Sequence, residues 1–294
     1  MSLKRDSKIN TLKRNKLRYL MFVLGFLLFV YPFSFLVRLI YHIWGTRAIP
    51  DLHSVCFRMS TEWIFSGRFR LMFVLPLASA LVIIAVVVSF FFGPLFCGWL
   101  CPVGSSTESL SRQVPSKLKI KPNGKISPAP IRYGFLVGFM SVPFLSMTGL
   151  AQTLGLASIC CRYCAASQLQ SLVTAITVDP SELVYWHSGG ILSLILWLFV
   201  GGVFMMGGRG WCNFFCPLGA FSNLFHSIGS KLGFTFKIKH DASKCTDCGL
   251  CKDVCPTWAI ERRSKVVGIN RHVCNCCKEC VSVCDQGCYR YGRA

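Results

Sequence analysis

The chain has 294 residues, 53% of them hydrophobic and 15% charged, with a mean hydropathy of +0.50. That balance is too apolar for an ordinary soluble domain. The formal net charge of +20 would point to nucleic acid in a soluble protein. Here no RNA- or DNA-binding motif accompanies the charge, and the basic residues gather in loops beside apolar stretches, so membrane lipid replaces nucleic acid as the expected partner.

In chain order, a basic terminus (1–16) precedes four apolar stretches within Leu17–Trp44, Phe69–Phe96, Ile131–Ala157 and Gly189–Gly207. A hydrocarbon core of about 30 Å takes roughly 20 apolar residues to cross as helix, so the reading is four transmembrane helices over 17–236. Pro32, Pro76 and Pro143 fall inside these stretches, where transmembrane helices tolerate proline. Arg38 is expected to snorkel to headgroups. The first stretch is too long for a signal peptide and lacks a small-residue cleavage site, so it reads as an anchor. Leu169–Val178 is too short to span and reads as an interfacial or re-entrant helix. Lys and Arg number seven in 1–18, six in 98–132 and thirteen from Arg209 onward, against four in 45–70 and one in 158–187. By the positive-inside rule this predicts a multi-pass protein of the cytoplasmic membrane with both termini cytoplasmic.

The membrane region is duplicated. Gly93-x2-Phe96-Cys97-x3-Cys101-Pro102-x-Gly104 returns 115 residues later as Gly208-x2-Trp211-Cys212-x3-Cys216-Pro217-x-Gly219. The halves run over about 17–130 and 131–236. On one helix an i,i+4 pair presents both thiols to one side, and the following proline stops or bends that helix. Two facing pairs would give an inner four-thiolate site for iron–sulfur or another soft metal, against the bland reading of small buried hydrophobes. The opposite loops carry His53, Cys56, Cys160, Cys161 and Cys164. These read either as a disulfide or as a second four-thiolate cluster with His53 as a substitute ligand. Adjacent Cys160 and Cys161 suit a cluster better than one small ion.

The tail (237–294) carries two ladders, Cys245-x2-Cys248-x2-Cys251-x3-Cys255-Pro256 and Cys274-x2-Cys277-x2-Cys280-x3-Cys284. This is the spacing for two [4Fe–4S] clusters, in which the fourth cysteine of each ladder ligates the other cluster. The expected sets are Cys245, Cys248, Cys251 and Cys284, and Cys274, Cys277, Cys280 and Cys255. Structural zinc rarely uses such ladders. So short a domain must be organised largely by its metal centres. Asp285 stands where proline usually follows the last cysteine. Cys276 and Cys288 are left over, the first as an alternate ligand and the second as a plain thiol. Quinone-site candidates are His187, His53 and Glu62, although a lone His or Glu near a membrane interface is more often a solvated boundary residue.

The paired Cys-x3-Cys-Pro motifs (Cys97, Cys101, Pro102; Cys212, Cys216, Pro217) together with the two ladders resemble the NapH/MauN ferredoxin-type membrane proteins over nearly the whole chain. The expected fold is thus a four-helix membrane domain with an internal two-fold repeat and a C-terminal α+β two-cluster ferredoxin domain. The resemblance implies a component of a quinol dehydrogenase rather than a stand-alone enzyme. It would draw on the quinone pool and hand electrons, with a partner Fe–S or cytochrome subunit, toward a terminal reductase. One or two further Fe–S clusters would sit in the membrane domain. The related NosR proteins add a flavin-bearing domain that has no counterpart here, and the outer cysteines are not part of the core motif set. The alternative is an accessory factor that reduces or handles metal, Cu(I) included, during maturation of a partner oxidase or reductase. A sensor lacks a visible signalling domain, and a transporter is disfavoured by apolar stretches almost without charge.

Overall fold

A computed structural model of the protein describes residues 16–45, 57, 76–120, 127–147, 164–181, 190–199, 201–263 and 266–293. Nine α-helices precede the tail among these residues. They are α1 (Lys16–Phe29), α2 (Phe35–Trp44), α3 (Pro76–Phe92), α4 (Pro102–Gln113), α5 (Pro128–Met147), α6 (Ala165–Thr177), α7 (Gly190–Phe199), α8 (Gly210–Phe214) and α9 (Pro217–Gly229).

The expectation of four transmembrane helices is overturned. Among the described residues no helix is long and apolar enough to cross a membrane. The reasons are local. The first stretch breaks between α1 and α2, where Ser34 takes a left-handed conformation (φ 39°), and Pro32 lies in that break rather than inside a helix. Helix α3 has 17 residues and α7 has 10, the latter about 15 Å of rise. Helix α5 reaches 20 residues, but Arg132, Tyr133, three prolines and two serines dilute its apolar character. Helix α6 covers the short stretch at Leu169 and begins directly after Cys164.

The helices pack as two groups. Phe29, Val30, Val37, Val103, Ala165, Leu169 and Trp197 form one buried cluster, which joins α1, α2, α4, α6 and α7. Helix α9 lies against α3 and α5, with Leu136 and Ala220 at its core beside Phe57.

The tail contains β1 (Phe236–His240), α10 (Leu250–Val254), β2 (Ile260–Arg263), β3 (Val266–Ile269), α11 (Glu279–Val283) and β4 (Tyr289–Arg293). Strand β1 pairs antiparallel with β4, from Phe236 opposite Arg293 to His240 opposite Tyr289. Strands β2 and β3 form a hairpin, and α10 packs on α11. The first and last strands therefore close the domain while each ladder feeds one short helix. Its core is built from Ile238, Ala259, Ile260, Val273 and Tyr289 together with the cysteines themselves.

The tail is docked by directed hydrogen bonds. Asn223 Nδ2 donates to the carbonyls of Arg271 and Cys274 at 2.9 and 2.8 Å. Trp258 Nε1 donates to Met206 O at 2.8 Å, and Tyr291 Oη to Phe92 O at 2.6 Å. The bond to Cys274 O is buried, where an unpaired carbonyl would be costly.

Candidate iron–sulfur sites

The sequence repeat is a structural repeat. Gly93 and Gly208 both adopt left-handed backbone, with φ of 80° and 70°, which glycine takes without a Cβ clash. Each opens a short helical turn closed by an i→i+5 bond, from Cys101 N–H to Phe96 O at 2.9 Å and from Cys216 N–H to Trp211 O at 3.1 Å. Such wide turns recur at functional sites. Cys101 and Cys216 are then extended (φ −61°, ψ 115° and φ −75°, ψ 111°) and cap α4 and α9.

This corrects the sequence reading of each pair as neighbours on one helix. The second cysteine of each pair is an N-cap, and the proline after it begins a new helix. The fixed φ of proline and its missing N–H suit that first position. The Cys216 thiol accepts the orphan amide of the new helix, in the 3.3 Å bond from Gly219 N–H to Cys216 Sγ. Cys101 caps α4 without such a bond to its thiol.

The four thiols of Cys97, Cys101, Cys212 and Cys216 are gathered closely enough to act on one another electrostatically. Burial and the neighbouring thiols push the Cys97 thiol up to about 12, while Arg132 and Arg209 pull it down. Gly104 and Gly219 make room for these arginines. A Cβ on Gly104 would collide with Arg209 Nη1, and one on Gly219 with Arg132 Nη2.

Both guanidiniums are buried, at 4% and 1% exposure for Arg132 and Arg209. Arg132 Nε and Arg209 Nη2 have no hydrogen-bond partner among the described residues. Arg209 is paired with Glu108, but Arg132 has no carboxylate partner among the described residues. A cation buried without a counterion costs several kcal/mol, so its place beside the thiols fits an anionic group held by thiolates. Four soft sulfur ligands suit an iron–sulfur cluster.

In the tail, Cys255, Cys274, Cys277 and Cys280 line one small cavity together with Ile238, Ala259 and Lys278. Backbone amides donate hydrogen bonds to two of the sulfurs, Ala259 N–H to Cys255 Sγ at 3.3 Å and Cys288 N–H to Cys284 Sγ at 3.4 Å. Cys288 lies within electrostatic reach of Cys284 and Cys245, and Tyr289 of Cys251 and Cys245. Cys248 is exposed.

Among the described residues no three Cys, His, Asp or Glu side chains converge as the ligands of a single metal ion. Cysteines around a cluster bind separate irons, so they need not converge as tightly as the tetrahedral ligands of one zinc. Cys276, read as an alternate ligand, turns its Sγ toward His226 Nε2 at 3.7 Å and also interacts with the Cys274 thiol. Cys288 is buried beside Cys284.

The inner set and the second ladder touch. Trp99 Nε1 donates to Cys276 O at 3.2 Å, and Arg132 Nη1 donates to His272 O at 3.0 Å. Arg18 runs between them. Its guanidinium makes a bidentate pair with Glu108 at 2.7 Å, a 2.6 Å pair with Glu279 of α11 and a 3.0 Å bond to Gly98 O.

Beside the inner set lies an apolar cavity of about 1370 Å³. Cys101, Cys212, Cys216, Trp99, Trp211, Phe135 and Phe215 line it, with Cys164 and Ser167 on the wall of α6 and Lys278 reaching in from the ladder. Lys278 Nζ lies 5.4 Å from the Trp99 ring centroid and 4.1 Å from that of Tyr291.

Of the outer cysteines, Cys164 caps α6 on this wall. Cys56, Cys160 and Cys161, with the quinone candidates His53, Glu62 and His187, lie outside the described residues. The sequence reading missed Arg18, Glu108, Arg132 and Arg209. The signal available for two of them was the motif-ending glycine repeated at 104 and 219, a mark of close approach.

The inner motifs and the first ladder both have counterparts in known families. A family model described as a 4Fe–4S binding domain matches residues 74–122 and 190–235, and a second of the same description matches 238–261. The chain is 26% identical to the ferredoxin-type protein NapH of Haemophilus influenzae over 74% of its own length and 69% of that protein. It is 29% identical to NapH of Escherichia coli, over 70% and 64%. It is 30% identical to the methylamine utilization ferredoxin-type protein MauN of Methylobacillus flagellatus, over 60% and 54%. No solved structure matches.

Proposed function

As an iron–sulfur electron-transfer protein of the NapH/MauN ferredoxin type, the chain needs an electron donor, and we propose that its donor is quinol. The observation that carries this reading is the apolar cavity of about 1370 Å³ with three inner thiols on its wall. Ligand sites are concave, mostly apolar and carry few polar groups. A quinone ring with a long apolar tail fits that description. Quinol gives up two electrons and two protons on becoming quinone. Iron–sulfur groups accept electrons one at a time and take up no substrate atoms.

In this reading Cys97, Cys101, Cys212 and Cys216 hold one further cluster beside the cavity. Cys255, Cys274, Cys277 and Cys280 hold the next, and Cys245, Cys248, Cys251 and Cys284 the last. Trp99 and Lys278 stand between the cavity and the second ladder. The thirteen basic residues from Arg209 onward favour an acidic redox partner, such as an Fe–S or cytochrome subunit feeding a terminal reductase.

We further propose a location at the cytoplasmic membrane with the ladders on the cytosolic side, where thiols stay reduced. Large apolar side chains stand exposed on several helices, among them Leu20, Val23, Leu39, Ile43, Ile83, Ile84, Val137 and Leu192. Exposed apolar surface on this scale marks a lipid or protein contact.

The test is anaerobic addition of a quinol analogue to the iron-loaded protein, followed by the cluster absorbance and electron paramagnetic resonance (EPR) signals. Reduction of the clusters is expected. No reduction at any quinol potential would sink the reading.

A further inference from the structure

Four buried charged side chains, joined by the partly buried Arg112, lie between the inner thiols and the second ladder. Glu108 is at the centre. Its carboxylate takes the bidentate pair from Arg18 and a 2.8 Å bond from Arg209 Nε, with Arg112 on its remaining side. Arg18 and Arg112 reach on to Glu279 Oε1, at 2.6 and 3.3 Å. Arg18, Glu108 and Arg209 are at most 1% exposed, and Glu279 is 5% exposed.

The group also grips backbone on the inner side. Arg18 Nε bonds Gly98 O, and Arg209 Nη1 bonds Cys97 O, so two arginines fix the turn that carries Cys97. On the other side Glu279 begins α11, between ladder residues Cys277 and Cys280. The Cys277 thiol feels Arg18, Glu279 and Glu108, while the Cys97 thiol feels Arg209. Aromatic faces close the space, with Arg18 4.8 Å from the Phe22 ring centroid.

A network this deep needs a reason, because replacing buried ion pairs by packed apolar groups is often neutral or stabilising. Three guanidiniums against two carboxylates leave one positive charge in excess. That charge sits in a desolvated wall between two sets of thiolates.

We propose that Arg18, Glu108, Arg112, Arg209 and Glu279 form a charged septum that positions the inner thiolate set against the second ladder and raises the reduction potential of the groups held on both sides. The proposal rests on the reading that both thiol sets hold iron–sulfur groups. Each reduction adds one electron and one negative charge to a group, and a fixed positive charge nearby favours that form. When an electron crosses the septum, one group is oxidised by one electron and the other reduced by one. No proton or ligand is exchanged. All five are positioning residues, since none is itself a ligand.

Exchanges of opposite charge effect separate this electrostatic role from a merely structural one. The full-length, iron-loaded protein is titrated by EPR-monitored potentiometry as wild type, Glu279→Gln and Arg18→Gln, with iron content and thermal melting measured in parallel. Glu279→Gln adds net positive charge and is expected to move the second ladder's potential upward. Arg18→Gln is expected to move it downward. The inner group should shift with the same signs. Should Arg18→Gln fail to fold, Arg112→Gln carries the downward arm, its side chain being 18% exposed. Shifts of the same sign in both variants, or no shift at unchanged iron content, would overturn the proposal. A wild type whose EPR shows the ladder clusters alone would instead remove the reading of the inner site, and the ladder-side shifts would still be measurable.

Discussion

The tail and the helical core gather cysteines by opposite means. In the tail each ladder packs four cysteines into eleven residues, two before α10 or α11, one within the helix and one capping its end. The chain folds around its ligands. In the core the two pairs lie 115 residues apart in sequence. They meet through helix packing, with α9 on α5 and α3, and through arginines threaded into gaps that only glycine leaves. The tail can therefore tolerate change in its surroundings, whereas the core site depends on every element that surrounds it.

The sharpest way to break this contrast is Glu108→Ala. It strands three arginines in the core, and removing one partner of a buried charge network costs about 3–5 kcal/mol. Thermal or denaturant unfolding should show a loss of that size. The same carboxylate gives a pH signature. Burial alone would raise its pKa, but Arg18, Arg209 and Arg112 hold it down to about 2, from an ordinary 4.5. Its contribution is thus complete above pH 4.5 and fades as pH falls toward 2. Wild type should lose stability through that window, and Glu108→Gln should lose less there.

Gly219→Leu sharpens the comparison next. It would displace Arg132 from beside the thiols, with about 1–3 kcal/mol of overpacking cost. Iron analysis should fall by roughly four atoms per chain while the two ladder clusters keep theirs. Equal loss from the ladders would erase the distinction.

Gly138→Trp tests the cavity without touching either site. Gly138 lines the cavity, and a Cβ there meets nothing within 4 Å. Folding and iron content should be unchanged, while quinol-driven reduction slows by about tenfold, equal to ~1.4 kcal/mol of barrier. At the weak end, Lys244→Ala removes a 3.9 Å surface pair with Asp241. It should change stability by no more than about 1 kcal/mol.

These differences also explain what the sequence made readable. Ladder spacing is a local property, so the two ladders could be written down from residue positions alone. The repeat was equally visible, because matching glycines, cysteines and prolines need no structure to align. Its local geometry was not. An i,i+4 pair reads as one helix, and only the i→i+5 closure at Phe96 and Trp211 turns the second cysteine into a cap. The four spans failed for a related reason. Average apolarity registers the stretch at 17–44 but not the break before Phe35, nor the polar and proline content of α5. Arg18 and Glu108 looked like ordinary flanking charges, since their partnership depends on a contact 90 residues away in sequence.

The central claim is that electrons enter from the cavity and reach the ladders through the inner thiols. Rapid-freeze EPR after anaerobic mixing with quinol tests it most directly, comparing wild type with the Cys97→Ser/Cys212→Ser variant. In wild type, an inner signal should appear before the ladder signals. In the variant the ladders should keep their iron and be reduced far more slowly. Ladder reduction at the wild-type rate in the variant would contradict the route.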